Sequence, residues 1–157
     1  MIHSTIGLIH TIFAIISLIT GTYVILTTKG TKTHVNVGYI YVVSMLIMNL
    51  TGFGIYHLFG GFGIFHIMIL ISLFALVCGM YPALYRKKVK NWYIQHLKVM
   101  SWSIVGLYAA FVSEMSARIV PAPYGIWFLG FGTAVVCISG SILIKRKIKK
   151  ELNLRYS

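Results

Sequence analysis

The sequence predicts an all-α integral membrane protein, and its composition leads to this fold class. Hydrophobic residues make up 58% of the 157 residues and charged residues only 10%, whereas a soluble domain has about 25% charged residues. The mean hydropathy is +0.85. Apolar runs follow one another with short interruptions, and each is near the roughly 20 residues that a helix needs to cross a bilayer core. These properties exclude the soluble enzyme classes.

Five transmembrane helices are predicted from the apolar runs. In chain order they cover 5–27, 35–58, 64–84, 93–118 and 125–144. The runs are separated by Thr28 to Thr33, by Phe59 to Phe62, by Arg86 to Trp92 and by the Pro121-Ala122-Pro123 turn. Because such short links make successive helices antiparallel neighbours, we expect four of the helices to form an antiparallel bundle. The transmembrane domain is thus predicted to be 1–144, followed by a basic tail, 145–157.

The basic residues predict how the chain is oriented in the membrane. Of the 14 Lys and Arg residues, all except Arg118 fall on one side, near the first and third links and in the tail. The positive-inside rule makes this side cytoplasmic, so the N-terminus is predicted outside and the C-terminus inside. We therefore expect a multi-pass protein of the bacterial cytoplasmic (inner) membrane.

The same distribution explains the formal net charge of +12. The run from Lys145 to Lys150 is expected to lie against anionic membrane lipid. No nucleic-acid partner is expected, because nucleic-acid binding needs a basic face on a soluble module. Cys78 and Cys137 lie inside apolar runs, and no disulfide is expected between them.

The chain contains 6 histidines, which is unusual because polar groups at membrane depth are costly and need a partner or a role. In the predicted orientation, His10 and His66 lie near the outer ends of the first and third helices. His34 and His96 lie near the inner ends of the second and fourth. The remaining histidines are expected at the outer interface, namely His3 and His57.

Four of these histidines form two predicted pairs. Successive helices around a four-helix bundle place the first opposite the third and the second opposite the fourth, so His10 pairs with His66 and His34 with His96. Axial ligation of haem by two imidazoles needs such partners at equal depth on facing helices, and we therefore predict one or two molecules of haem b. Small residues share the face of His10 and leave room for close helix packing or for the macrocycle, namely Gly7, Ala14, Ser17 and Gly21.

Glu114 is the only carboxylate inside the predicted helices, and Arg118 follows it one helical turn later. The two residues are predicted to form a structural ion pair at the outer end of the fourth helix. The alternative is a functional role, in which Glu114 handles protons and Arg118 holds an anionic group such as a haem propionate or a substrate.

Two stretches resemble an uncharacterised bacterial family of small multipass membrane proteins, known only as a domain of unknown function. His34, Gly38 and Tyr41 match that family's His-x-x-x-Gly-x-x-Tyr pattern. The stretch from His96 to Arg118 is similar to the family's second block. The resemblance covers the first four helices and implies a fold without implying an activity.

The alternation of histidines is separately similar to that of the diheme cytochrome b561 family of transmembrane electron carriers. In that family, four histidines on four successive helices pair first with third and second with fourth, which implies the same pairs here. This chain departs from the family in having fewer predicted helices, shorter intervals between histidines and no ascorbate-site motif. The resemblance therefore implies an architecture, and the electron donor and acceptor do not carry over.

The leading functional hypothesis is a b-type cytochrome, an electron carrier or membrane oxidoreductase whose donor is a quinol or a small reductant. A second hypothesis is a zinc or other transition-metal site in the outer leaflet, formed by His10, His57, His66 and Glu114. The metal site leaves the two inner histidines without a role. A third hypothesis is a membrane assembly or accessory factor that holds no cofactor.

Overall fold

The computed structural model describes residues 5–55, 63–120 and 124–156, and these residues form five α-helices. The helices are α1 (Thr5–Leu26), α2 (Lys32–Gly52), α3 (Ile64–Leu84), α4 (Trp92–Ile119) and α5 (Tyr124–Tyr156). All five are long and apolar enough to cross a membrane. The predicted all-α class with five candidate spans is therefore confirmed.

The bounds of α2 differ from the predicted ones at both ends. The helix begins at Lys32 because Thr31 caps it: the Thr31 hydroxyl accepts a hydrogen bond of 3.1 Å from the His34 backbone N–H. At its other end α2 stops at Gly52, after which the Gly54 N–H bonds to the Thr51 carbonyl in a turn. A side-chain cap and a turn are local features that hydropathy does not detect.

Helix α5 continues through the range predicted to be a separate tail. It has 33 residues, and no Gly or Pro follows Gly140 to end it. An ion pair of 3.2 Å between Lys147 and Glu151, one turn apart, supports its last turns. At about 1.5 Å per residue, α5 reaches about 50 Å, which exceeds a hydrocarbon core of about 30 Å.

Large apolar side chains are exposed along all five helices, as expected for surfaces that lipid covers. Ile19 is 65% exposed, Phe74 71% and Trp127 77%. In water such a surface would be unfavourable, because each apolar side chain left exposed forgoes about 1.5–3 kcal/mol of burial. Against acyl chains this cost disappears. The buried residues combine large apolar side chains such as Met45 with small polar ones such as Ser113.

The first of two compact units, Met1–Phe74, contains α1, α2 and the first half of α3. The start of α1 lies beside the end of α2, since a Cβ added to Gly54 would meet Ile6 at 3.5 Å, so these helices run antiparallel. The buried residues of α1 are Ser17 and Gly21, both from the predicted stripe of small residues. That stripe is therefore a packing face, as expected.

The second unit, Ala75–Ser157, contains the rest of α3 together with α4 and α5. The end of α4 lies beside the start of α5, where the Ser113 and Thr133 hydroxyls are 2.7 Å apart. At the other end of this antiparallel pair, Tyr93 donates a 3.0 Å hydrogen bond to Glu151. Cys78 and Cys137 both lie in this unit and are free thiols, as the sequence predicts.

Replacing Gly140 with alanine is expected to destabilise the contact between α4 and α5. A Cβ at this position would lie 2.5 Å from Val105 Cγ2, and a β-branched valine has little freedom to move away. Gly130 on the same helix has nothing within 4 Å of an added Cβ, so Gly130→Ala is a matched control with the same change in helix propensity. We expect Gly140→Ala to be less stable than Gly130→Ala by about 1–3 kcal/mol in mixed-micelle unfolding. Equal stability of the two variants would contradict this packing.

Candidate cofactor site

His10 on α1 is held by the backbone of α2. Its Nδ1 lies 2.9 Å from the Met48 carbonyl oxygen. Because a carbonyl oxygen can only accept, Nδ1 must carry the proton, and Nε2 of the neutral ring then keeps a lone pair. The ring lies against Gly52, where an added Cβ would be 3.4 Å from His10 Cε1. The His10 imidazole is therefore fixed in the tautomer that offers Nε2 as a ligand.

His96 on α4 is held by the backbone of α3 in the same way. Its Nδ1 lies 2.8 Å from the Gly79 carbonyl oxygen, so this ring also carries its proton on Nδ1. The two helices approach closely here, because a Cβ on Gly79 would lie 2.6 Å from Met100 Sδ and 3.3 Å from Val99 Cγ1. Histidines on two different helices therefore share one arrangement, in which Nδ1 donates to a backbone carbonyl and Nε2 of the neutral ring keeps its lone pair.

His66 has the opposite arrangement, because it takes part in capping α3. The ring is 4% exposed, and its Nδ1 accepts a 3.2 Å hydrogen bond from the Gly63 backbone N–H. The His66 N–H in turn donates to the Gly63 carbonyl at 3.0 Å, which makes a reciprocal cap at the start of the helix. With Nδ1 as the acceptor, the proton of the neutral ring lies on Nε2.

The two members of the predicted outer pair both approach the end of α2. His10 packs against Gly52, and the His66 ring centroid lies 6.3 Å from that of Phe53, the next residue. The members of the predicted inner pair belong to different units. His34 is half-buried in the first turn of α2, and its pairing with His96 stays a prediction.

A second polar contact lies beside the outer histidines, and sequence reasoning did not identify it. Asn49, which is 2% exposed, donates a 3.0 Å hydrogen bond from Nδ2 to the Ser72 hydroxyl on α3. Asn49 directly follows Met48, whose carbonyl accepts from His10. The detectable signal was an amide within an apolar run, since such a group at membrane depth needs a partner.

Glu114 and Arg118 form the predicted ion pair. Both guanidinium contacts go to Glu114 Oε1, from Arg118 Nη2 at 2.6 Å and from Nε at 3.1 Å. Both side chains are partly exposed, so the pair contributes little stability in water. The alternative role in proton handling or anion binding stays a prediction.

The metal-site hypothesis needs ligands from several helices. Within residues 5–55, 63–120 and 124–156, no three His, Cys, Asp or Glu side chains come close enough together to hold a metal ion. His57, one of its four predicted ligands, lies outside the described residues, as does His3.

The sequence of the chain matches the model of the family described as predicted membrane protein (DUF2306) over residues 7–149. The chain belongs to this family. The match spans all five helices and confirms the predicted resemblance to a membrane-protein family of unknown function. No curated protein and no solved structure matches the chain significantly. The family therefore identifies a multi-pass membrane protein, and any activity must be argued from the residues themselves.

The two arrangements of the imidazoles can be tested by nitrogen NMR of protein labelled at histidine, purified without added cofactor. We expect His10 and His96 to carry their protons on Nδ1 and His66 to carry its proton on Nε2, because their backbone partners are acceptors and a donor, respectively. Variants with one histidine replaced by glutamine would assign each signal. An Nδ1-protonated signal from His66 would contradict the capping arrangement.

Proposed function

We propose that this family member is a b-type cytochrome-like membrane protein that binds haem b through histidines and transfers electrons across or within the membrane. The observation that carries the proposal is the hydrogen bonding of His10 and His96, each of which donates Nδ1–H to a backbone carbonyl of a neighbouring helix. Ligating histidines in proteins commonly donate their other ring N–H in this way, because the bond fixes the tautomer and raises the basicity of the ligand nitrogen.

His10 and His96 would therefore each hold a haem, because the neutral Nε2 of each ring is a suitable donor for haem iron. Bound haem would supply reversible one-electron chemistry at its iron. The contribution of the protein is orientation: the carbonyls of Met48 and Gly79 hold each ring in place through Nδ1, which leaves Nε2 of the neutral ring as the nitrogen available as a ligand. Both imidazoles are half-buried, and a hydrogen bond is stronger in such surroundings than in water.

His66 and His34 are the proposed second ligands, following the diagonal pairing predicted from the sequence. For His66, ligation through Nε2 requires the proton to move to Nδ1 and the hydrogen bond from the Gly63 N–H to break. His66 is therefore expected to be a weaker ligand than His10. The two residues of the outer pair should therefore differ in how much haem the protein loses when each is replaced.

The charge distribution supports a proposed orientation in the membrane. The basic side is proposed to face the cytoplasm of a bacterium, so that the N-terminus lies outside the inner membrane. A quinol or another small reductant is the proposed donor. Arg118 is proposed to hold a haem propionate. Its Nε and Nη2 already donate to Glu114, so the guanidinium would be shared between the two carboxylates.

The two other hypotheses have less support. A zinc or other transition-metal site formed by His10, His57, His66 and Glu114 would have to release Glu114 from its ion pair with Arg118. A cofactor-free assembly factor would also use buried hydrogen bonds for helix packing. Haem content distinguishes the two, because a cofactor-free factor would keep these hydrogen bonds and bind no haem.

Replacing the two anchored histidines is expected to remove haem from the protein. The natural chain, purified in mild detergent from haem-replete cells, should show a sharp α-band in its reduced-minus-oxidised spectrum, with about one or two haems per chain. His10→Ala and His96→Ala should each lose the haem that the residue holds, and the double variant should lose all of it. His66→Ala should lose less haem than His10→Ala, because Nε2 of His66 carries the proton.

Gln95→Ala is the matched control, because Gln95 is exposed beside His96 and bonds only within its own segment, to the Lys90 carbonyl. It should keep the full haem content. A flat spectrum from folded, monodisperse protein of natural sequence would overturn the proposal. Metal analysis of that sample would then distinguish a zinc site from a cofactor-free factor.

A further inference from the structure

A groove between α4 and α5 combines apolar walls with three lysines. It has a volume of about 480 Å³, within the range of ligand sites in proteins. On α4 it is lined by Ile94, Lys98 and Trp102, which are spaced four residues apart and so share one helix face. From α5 come Ser141, Ile144, Lys145, Ile148, Lys149, Leu152 and Asn153. All ten residues belong to the second unit.

The two helices contribute complementary stripes to this groove. On α5, Ile144, Ile148 and Leu152 repeat every four residues and form the apolar wall. Lys145 and Lys149 each follow an isoleucine of that stripe, and both also line the groove. Both lysines and Lys98 are exposed, whereas Ile144 is only 7% exposed. The site therefore has an apolar interior and a cationic rim.

A separate polar contact holds α5 in position over the groove. Glu151 accepts a 3.0 Å hydrogen bond from the Tyr93 hydroxyl on α4 and pairs with Lys147 at 3.2 Å. None of the residues in this contact lines the groove, namely Tyr93, Lys147 and Glu151. The only carboxylate near the end of α5 is thus engaged elsewhere, and no acidic side chain is among the groove residues.

We propose that this groove binds an anionic phospholipid, with the phosphate held by Lys98, Lys145 and Lys149. An anionic headgroup complements the three charges, and the acyl chains complement the isoleucine wall and the Trp102 ring. The groove lies where α5 changes from apolar to basic sequence, which is where a headgroup lies in a bilayer. An uncharged apolar ligand would leave the lysines without a function, and a free anion would leave the apolar wall without one.

This proposal goes beyond the general attraction of a basic tail to an anionic membrane surface. General attraction depends on the number of charges, whereas the groove depends on which lysines carry them. The groove is formed only because α5 continues as a helix beside α4, and a flexible tail would place its lysines along the surface without a defined site. The two explanations therefore differ for variants that lose equal charge at different positions.

The test uses Trp102 as a fluorescent reporter in the full-length chain, with Trp92→Phe and Trp127→Phe to remove the other two tryptophans. The reconstituted protein is quenched by brominated phosphatidylglycerol or brominated phosphatidylcholine with the same acyl chains and at the same mole fraction. We expect phosphatidylglycerol to occupy the groove at least about fivefold more strongly, the ratio that one lysine contact provides. In the reporter protein with Lys98→Gln, Lys145→Gln and Lys149→Gln, this preference should disappear.

The matched control replaces Lys87, Arg146 and Lys150 with glutamine, which removes the same charge outside the groove. It should keep the preference for phosphatidylglycerol. Equal loss in the two triple variants would overturn the proposal in favour of general surface attraction, and no preference in the reporter protein itself would overturn it outright. Inorganic phosphate can be added at constant ionic strength as a competitor. If it abolished the preference, the groove would be a site for a free anion, and the proposal of a lipid ligand would be overturned. The single variant Lys98→Gln, which leaves α5 unchanged, should reduce the preference at least severalfold.

Discussion

Hydrogen-bonding groups inside a bilayer find no water, so each must be satisfied within the protein. Some hydroxyl side chains meet the requirement locally: Thr11 and Thr22 donate to carbonyls one turn earlier in α1, at 2.9 and 2.6 Å. The His10 and His96 rings and the Asn49 amide instead bond to neighbouring helices, as Asn49 does to Ser72 on α3. The local bonds do not constrain how the helices pack against one another. The bonds between helices determine which turns of neighbouring helices lie side by side.

Hydropathy was sufficient to predict the five helices because the bilayer selects for length and apolarity. The start of α3 at residue 64 and its end at residue 84 agree with the predicted range. Predictions were poorer where other interactions decide the bounds. Thr31 starts α2 early through a cap, and the Lys147–Glu151 pair accompanies the continuation of α5 into charged sequence. Both interactions are made by polar or charged side chains, which the search for apolar runs does not detect.

The histidines of the candidate site could be predicted from the sequence, whereas the hydrogen-bond partner of each ring could not. Four histidines at membrane depth are visible in the sequence, because a titratable group there demands an explanation. The sequence does not identify the partner of the His10 or the His96 ring, because Met48 and Gly79 accept through backbone carbonyls, which every residue type has. Glycines at 52 and 79 permit close approach of a neighbouring helix, yet the sequence alone does not say which helix approaches.

The two histidines expected to form an outer pair show why depth alone cannot define a ligand. His10 lies within α1, where the backbone N–H groups are used by the helix, so its ring meets a carbonyl of α2 and donates. His66 lies in the first turn of α3, where N–H groups have no helical acceptor, so its ring meets the Gly63 N–H and accepts. The same side chain therefore exposes a lone pair in one place and a proton in the other. Position within the helix, rather than depth in the membrane, decides which nitrogen is available to a metal.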